Sequence, residues 1–166
     1  MDFIWSPWRY DYLASGGAKP PSCVFCVTAD RTHDAERLIV FRGTHNFVIL
    51  NLFPYTSGHV MVAPYDHMDT IAVAKPEQLA EMMELAQRLI AVLKKLYKPD
   101  GFNLGMNLGA AAGAGIREHF HLHVVPRWVG DANFMSVIGE TRVLPEELTI
   151  TYERIKAELF PHEIGR

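Results

Sequence analysis

Three histidines, His119, His121 and His123, alternate with Phe120, Leu122 and Val124 in a single run. Near neutral pH an imidazole can act as a nucleophile, a proton carrier or a metal ligand. On a β-strand, residues at i, i+2 and i+4 share a face, so the three rings would emerge side by side while the apolar residues enter a core. A histidine-rich surface strand or a loose metal-binding tract is the plainer reading. The clean apolar alternation argues against it. A second group is Cys23-Val24-Phe25-Cys26. Two cysteines so close together do not make a disulfide framework. A redox pair would be expected at the start of a helix in a thioredoxin-like pattern, and here Pro20-Pro21 precede the motif with no strand upstream. Half of a tetrahedral zinc site, or a pair of reduced, partly buried thiols, are the other readings.

These residues need elements to hold them. Alternating and continuous apolar segments predict strands over 38–42, 47–50, 59–63, 102–107 and 119–125. Asn51 to Gly58, with Pro54 and Gly58, reads as the loop between the second and third strands. Pro76 suits a first helical position, and Leu79, Met82, Met83, Ala86, Leu89, Ile90, Leu93 and Leu96 recur at helical spacing, predicting a long helix over 76–97 stopped by Pro99-Asp100-Gly101. A second helix is expected over 145–160, although Thr149, Ile150 and Thr151 are β-branched. Residues 109–115 form a turn of small residues. Residues 1–30 read as an irregular arm carrying Phe3, Trp5, Trp8, Tyr10 and Tyr12, which such aromatics anchor to the body or to another subunit. The expected fold is therefore α+β: one domain over 1–166, a mostly antiparallel five-stranded sheet, one long helix and a C-terminal helix.

The chain has 166 residues, enough for a core of its own in a single domain. A net charge of −3 disfavours a general nucleic-acid surface, so an anionic ligand would have to be met by local donors. No apolar run nears the length of a membrane span and no signal-peptide pattern opens the chain, so no membrane partner and a cytoplasmic setting are expected.

At this point the residues resemble a known family. The His-Phe-His-Leu-His-Val-Val run is similar to the histidine-triad (HIT) signature. So are the segment from Asn51-Leu52-Phe53-Pro54 through Ser57-Gly58-His59 to His67, and the stretch Asn103 to Gly109. Together they cover roughly residues 20–128. Trp5-Ser6-Pro7-Trp8-Arg9 and Val125-Pro126-Arg127-Trp128, with Gly130-Asp131-Ala132-Asn133-Phe134, resemble the branch holding bacterial diadenosine tetraphosphate phosphorylases and related hydrolases.

The resemblance implies nucleotidyl transfer through a covalent histidine intermediate. His121 matches the nucleophile, and His123 the triad member beside the phosphate. Asn107 matches an asparagine contacting the phosphate region, with Asn103 four residues earlier on the same strand face. Asn51 stands where relatives bond the ribose hydroxyls, or serves the turn before Pro54; Leu52 would line the base pocket. Many relatives place a serine three residues before the first triad histidine. Here that residue is Ile116, and backbone N–H groups around Gly113, Ala114 and Gly115 could form an anion nest instead. In zinc-bearing relatives two cysteines are completed by histidines that match His67 and His119, so the implied zinc set is Cys23, Cys26, His67 and His119, with a structural role. His59 is expected to be structural, and His33, His45 and His162 to be surface or turn residues. The implied partners are an adenine nucleotide, inorganic phosphate as a possible acceptor, and a second copy of the chain in a homodimer. The favoured activity is diadenosine tetraphosphate phosphorylase. A hydrolase, a nucleoside phosphoramidase and a nucleotide-binding protein with vestigial activity are the alternatives.

Overall fold

The computed structural model describes residues 23–26, 31–131 and 146–159. Most of the aromatic arm expected over 1–30 therefore lies outside the described residues. Strands β1 (Ile39–Arg42), β2 (Asn46–Leu50), β3 (Val60–Pro64), β4 (Gly101–Gly105) and β5 (Leu122–Arg127) form one sheet in the order β1-β2-β3-β5-β4. Every neighbouring pair is antiparallel. The first three strands follow one another as a meander. The long helix, α1 (Pro76–Tyr97), then intervenes, so β5 inserts beside β3 and leaves β4 at the edge. A C-terminal helix, α2 (Leu148–Leu159), completes the α+β fold.

Period-two alternation explains how the sheet buries both faces of its centre. Val48, Leu50, Val60, Val62, Leu122 and Val124 pack on one face against Met82, Leu85, Leu89 and Leu93 of α1 and Tyr152 and Ile155 of α2. On the other face Ile39, Phe47, Ile49, Met61 and Ala63 form a smaller cluster closed by Phe25. That second face is the one the chemistry occupies.

Helix α1 is fixed at both ends. Pro76 supplies a preset φ at its first turn, and the Lys75 N–H donates to Gln78 Oε1 at 2.8 Å. Glu81 on α1 accepts the backbone N–H groups of Thr44, His45 and Asn46 at 2.6–2.8 Å and the Asn46 amide at 2.8 Å. Burial alone would push the Glu81 carboxyl up, but these donors hold it below its usual range. The helix thereby pins the β1–β2 turn. Gly58 has φ +77°, and a Cβ there would meet Leu93 Cδ2 at 3.0 Å, so only glycine lets the loop before β3 lie on α1.

Sequence and structure part at the start of β5. The ladder begins at Leu122, not at residue 119. The Phe120 N–H donates to Met68 O at 2.8 Å, and the His119 ring bonds Pro64 O, so residues 119–121 are drawn off the sheet toward the segment after β3. The alternation survives, with Phe120 on the α1 core and the His119 and His121 rings against Phe25 on the other side, but of the three histidines only His123 lies within the strand.

Candidate functional site

Each triad ring is held by a different partner, and the partner decides which nitrogen can do chemistry. The His119 ring is buried, and its Nε2 lies 2.8 Å from the Pro64 carbonyl. A carbonyl only accepts, so Nε2 carries the proton and Nδ1 keeps its lone pair. That lone pair faces Cys23 Sγ at 3.6 Å and Cys26 Sγ at 3.8 Å, while His67 Nδ1 stands 3.1 Å from Cys26 Sγ. The four ligand atoms lie within 4.8 Å of one another. Tetrahedral zinc with ordinary bond lengths would set its ligand atoms about 3.3–3.8 Å apart; the two His119–cysteine separations fall in that range, and the donor set suits such an ion. The Pro64 bond is the outer-shell contact that orients a ligating imidazole. Burial, then the neighbouring Cys23, push the Cys26 thiol up, so cation binding there would release protons.

His121 is turned the other way. Its Nδ1 donates to the His119 carbonyl at 3.0 Å, leaving the Nε2 lone pair available. Burial pulls its pKa below the usual histidine value, so the ring is neutral at physiological pH. Phe25, from the Cys-x-x-Cys turn, lies against it with centroids 4.6 Å apart, and His123 meets it edge-on at 4.7 Å. The turn that carries the two cysteines therefore also packs the central histidine.

His123 is set by a short relay. The Tyr55 N–H donates to His59 Nδ1 at 3.1 Å, which places the His59 proton on Nε2. That Nε2 donates to His123 Nδ1 at 2.9 Å, leaving the His123 proton on Nε2. Burial, reinforced by His121, pulls the His123 pKa down to about 4. The loop supplying Tyr55 is itself tied to β5 by Thr56 Oγ1 donating to Pro126 O at 2.8 Å.

His123 opens onto a cavity of about 420 Å³, which is also lined by Asn103, Asn107, Tyr55, Arg127 and Asp131. The structure thus brings His123, Asn103 and Asn107 to one space, with His121 against His123 and buried beneath it. Asn51 and Leu52 lie outside that lining. Asn51 Oδ1 accepts the Phe53 N–H at 2.9 Å in a local turn, its amide nitrogen stands 3.4 Å from each His59 ring nitrogen, and Leu52 is 60% exposed. Gly113 and Gly115 also lie outside it. Gly113 adopts a left-handed conformation that ends a short 3-10 turn, with its N–H donating to Ala110 O. His33 pairs with Glu36 on the surface.

His59, expected to be structural, positions His123; Tyr55 was not among the expected site residues, and Arg127 and Asp131 entered only through the branch resemblance. His59 precedes β3 by one residue, and the β3–β5 register sets Met61 opposite His123. A fourth histidine beside that pairing was the available signal. Arg127 follows His123 at i+4 on β5, so the period-two rule that grouped the triad extends to it.

Three comparisons bear on this geometry. Residues 32–129 match the family model described as the HIT domain. The chain is 40% identical over 162 residues to the AP-4-A phosphorylase of Mycobacterium tuberculosis, spanning 93% of this chain and 83% of that one. Among solved structures it is similar to a Zn-bound histidine triad family protein from Mycobacterium smegmatis, at 30% identity and a TM-score of 0.67, covering 84% of this chain and 94% of the other. The diadenosine triphosphate hydrolase of Plasmodium falciparum shares the fold, with a TM-score of 0.63 over 81% of this chain and 80% of that one at 16% identity.

Proposed function

The chain belongs to the HIT domain family and is a nucleotide-processing enzyme of that kind, and on that footing we propose that it cleaves diadenosine tetraphosphate by nucleotidyl transfer through His121, with inorganic phosphate as the second acceptor. The observation that carries the reading is the orientation of His121. Its Nδ1–H is committed to the His119 carbonyl and its ring is neutral, so Nε2 presents a nucleophilic lone pair without a separate base. The likeness to the M. tuberculosis phosphorylase supports the choice of substrate.

In the first step His121 Nε2 bonds to the α-phosphorus, the bond from that phosphorus to the bridging oxygen breaks, and ATP leaves. In the second, a phosphate oxygen bonds to the same phosphorus, the N–P bond breaks, and ADP is released as His121 regains its lone pair. His123, holding its proton on Nε2, donates to a phosphoryl oxygen as negative charge develops there; Asn107 adds a second donor from the cavity wall. Asn103 lines the same cavity.

Cys23, Cys26, His67 and His119 would hold a structural zinc ion, a reading supported by their spacing and by the zinc of the M. smegmatis relative. A bound ion there would clamp the Cys-x-x-Cys turn, and with it Phe25, against the segment that carries His121. The protein works as a homodimer through the edge of the sheet and α1. A reducing cytoplasm suits its free thiols, and no helix among the described residues is long and apolar enough to cross a membrane.

Product analysis with diadenosine tetraphosphate, with and without inorganic phosphate, tests the reading. ADP plus ATP formed only with phosphate is the expected result. AMP plus ATP in both reactions would make water the acceptor and the protein a hydrolase. No turnover in either would overturn the substrate and direct attention to phosphoramidates.

A further inference from the structure

Beyond His123 the cavity continues to Arg127, and the geometry points to a second-nucleoside subsite there, in which the base of the leaving half of the substrate stacks on the Arg127 guanidinium. The inference rests on the nucleotidyl-transfer reading and adds to it what the far end of the site recognises.

The edge of the guanidinium is already engaged. Arg127 Nε donates to Asp131 Oδ2 at 2.6 Å, Nη2 to Asp131 Oδ1 at 2.7 Å, and Nη1 to Asn103 Oδ1 at 2.6 Å. Asp131 is itself steadied by the Trp128 N–H at 3.1 Å. A guanidinium held this way is a poor fork for phosphate, because its donors point at protein oxygens and Asp131 balances its charge. What it offers the ligand is a flat face. The side chain is 43% exposed and lines the cavity, with its plane fixed from two sides. Planar, weakly hydrated guanidinium groups stack on aromatic rings and on bases.

Distance and surroundings agree with a base at this end. Arg127 lies four residues along β5 from His123, about 13 Å by strand rise, too far for a group on the same phosphate but suited to the far end of a polyphosphate chain. Tyr55, Leu104 and Val125 add apolar surface to the cavity, while its amides sit at Asn103 and Asn107. An apolar, aromatic-lined space with a few fixed polar groups is the usual character of a ligand pocket.

The test compares two substrates with the same reacting phosphorus, diadenosine tetraphosphate and adenosine 5′-tetraphosphate, which lacks the second nucleoside. Arg127→Ala is expected to lower kcat/KM for the dinucleotide about tenfold, the scale of losing one stacking contact, and to change that for the mononucleotide less than twofold. Arg127→Lys keeps the charge but not the plane and is expected to behave like the alanine variant. Rescue by lysine, or equal losses on both substrates, would show phosphate recognition and overturn the inference; so would two unchanged variants. Wild-type protein that turns over the mononucleotide but not the dinucleotide would remove the second subsite and leave nucleotidyl transfer standing. Wild-type protein inert toward both would instead refute the functional reading itself. Arg127 is on the surface, and thermal melts within about 3 °C of wild type show that any loss is not one of folding.

Discussion

The two ends of the triad are built from the same residue four positions apart, yet they face opposite kinds of chemistry. His119 donates from Nε2 to Pro64 and turns a bare Nδ1 toward two cysteines. His123 accepts a hydrogen bond at Nδ1 from His59 and turns a protonated Nε2 away from it, beside the cavity. Between them His121 donates from Nδ1 to a backbone carbonyl. Burial lowers the pKa of all three rings, so charge does not distinguish them. The partner of the other nitrogen does. A histidine's role is thus written in the atoms behind it, and here those atoms belong to β3, to the triad backbone and to the loop before β3.

The comparison breaks most visibly at its centre. His121→Ala removes the proposed nucleophile, and turnover of diadenosine tetraphosphate is expected to fall on the order of 10⁴-fold or more. Nucleotide binding, measured by calorimetry, should persist, because the cavity and His123 remain. A variant that kept even a tenth of wild-type turnover would remove His121 as the nucleophile.

The metal end should respond in stability and not in chemistry. Cys26→Ser, or prolonged chelation of the wild type, is expected to lose one zinc per chain by elemental analysis and to lower Tm by about 10 °C, since a structural ion contributes folding free energy directly. The loss should appear in activity only after the protein is warmed, if the ion holds Phe25 and the triad segment in place without touching substrate. A purified protein that holds no zinc and melts unchanged as Cys26→Ser would leave the four residues as thiols and imidazoles merely packed together.

The sequence made the scaffold readable because its signals were periodic. Residues 76–97 alternate at helical spacing between Pro76 and Pro99, and α1 occupies Pro76–Tyr97. The apolar alternation of β2 and β3 likewise sorts Val48, Leu50, Val60 and Val62 to the helix side. The cluster of Cys23, Cys26, His67 and His119 was readable from its donor types and a family resemblance. What could not be read were contacts between distant backbone atoms. Nothing near residue 119 announces that Pro64 O and Met68 O will draw residues 119–121 off the ladder. His59 looked structural because it sits one residue before a strand, and only the folded loop shows Tyr55 setting its tautomer. Asn51 carried a turn signal and a family signal at once; its oxygen accepts from Phe53 in the turn.

The cavity end can be sharpened through its relay. His59→Phe keeps a ring but removes the donor to His123, and kcat is expected to fall about tenfold with KM changed less than twofold, because a misoriented His123 loses a donation that matters most in the transition state. His59→Gln, which keeps an N–H able to face His123 Nδ1, should recover part of the loss. Equal kcat in all three proteins would reduce His59 to packing.

The smallest expected effect is on stability against pH. In the unfolded chain His123 titrates near 6.5, and in the folded protein burial lowers its pKa to about 4. Between those values the unfolded state binds the extra proton, so stability is full above the unfolded pKa and is lost as pH falls toward the folded one. At pH 5 the single ring corresponds to about 1–2 kcal/mol, allowing for its partial contact with solvent. Urea melts at pH 7 and pH 5 measure the fall, and His123→Asn should reduce it by that amount while lowering activity. The subtraction matters because His119 and His121 also resist protonation, and the fall in wild type belongs to all three. An asparagine variant that loses as much stability as wild type over this interval would mean that His123 titrates as an exposed ring, and that burial does not hold it neutral in the fold.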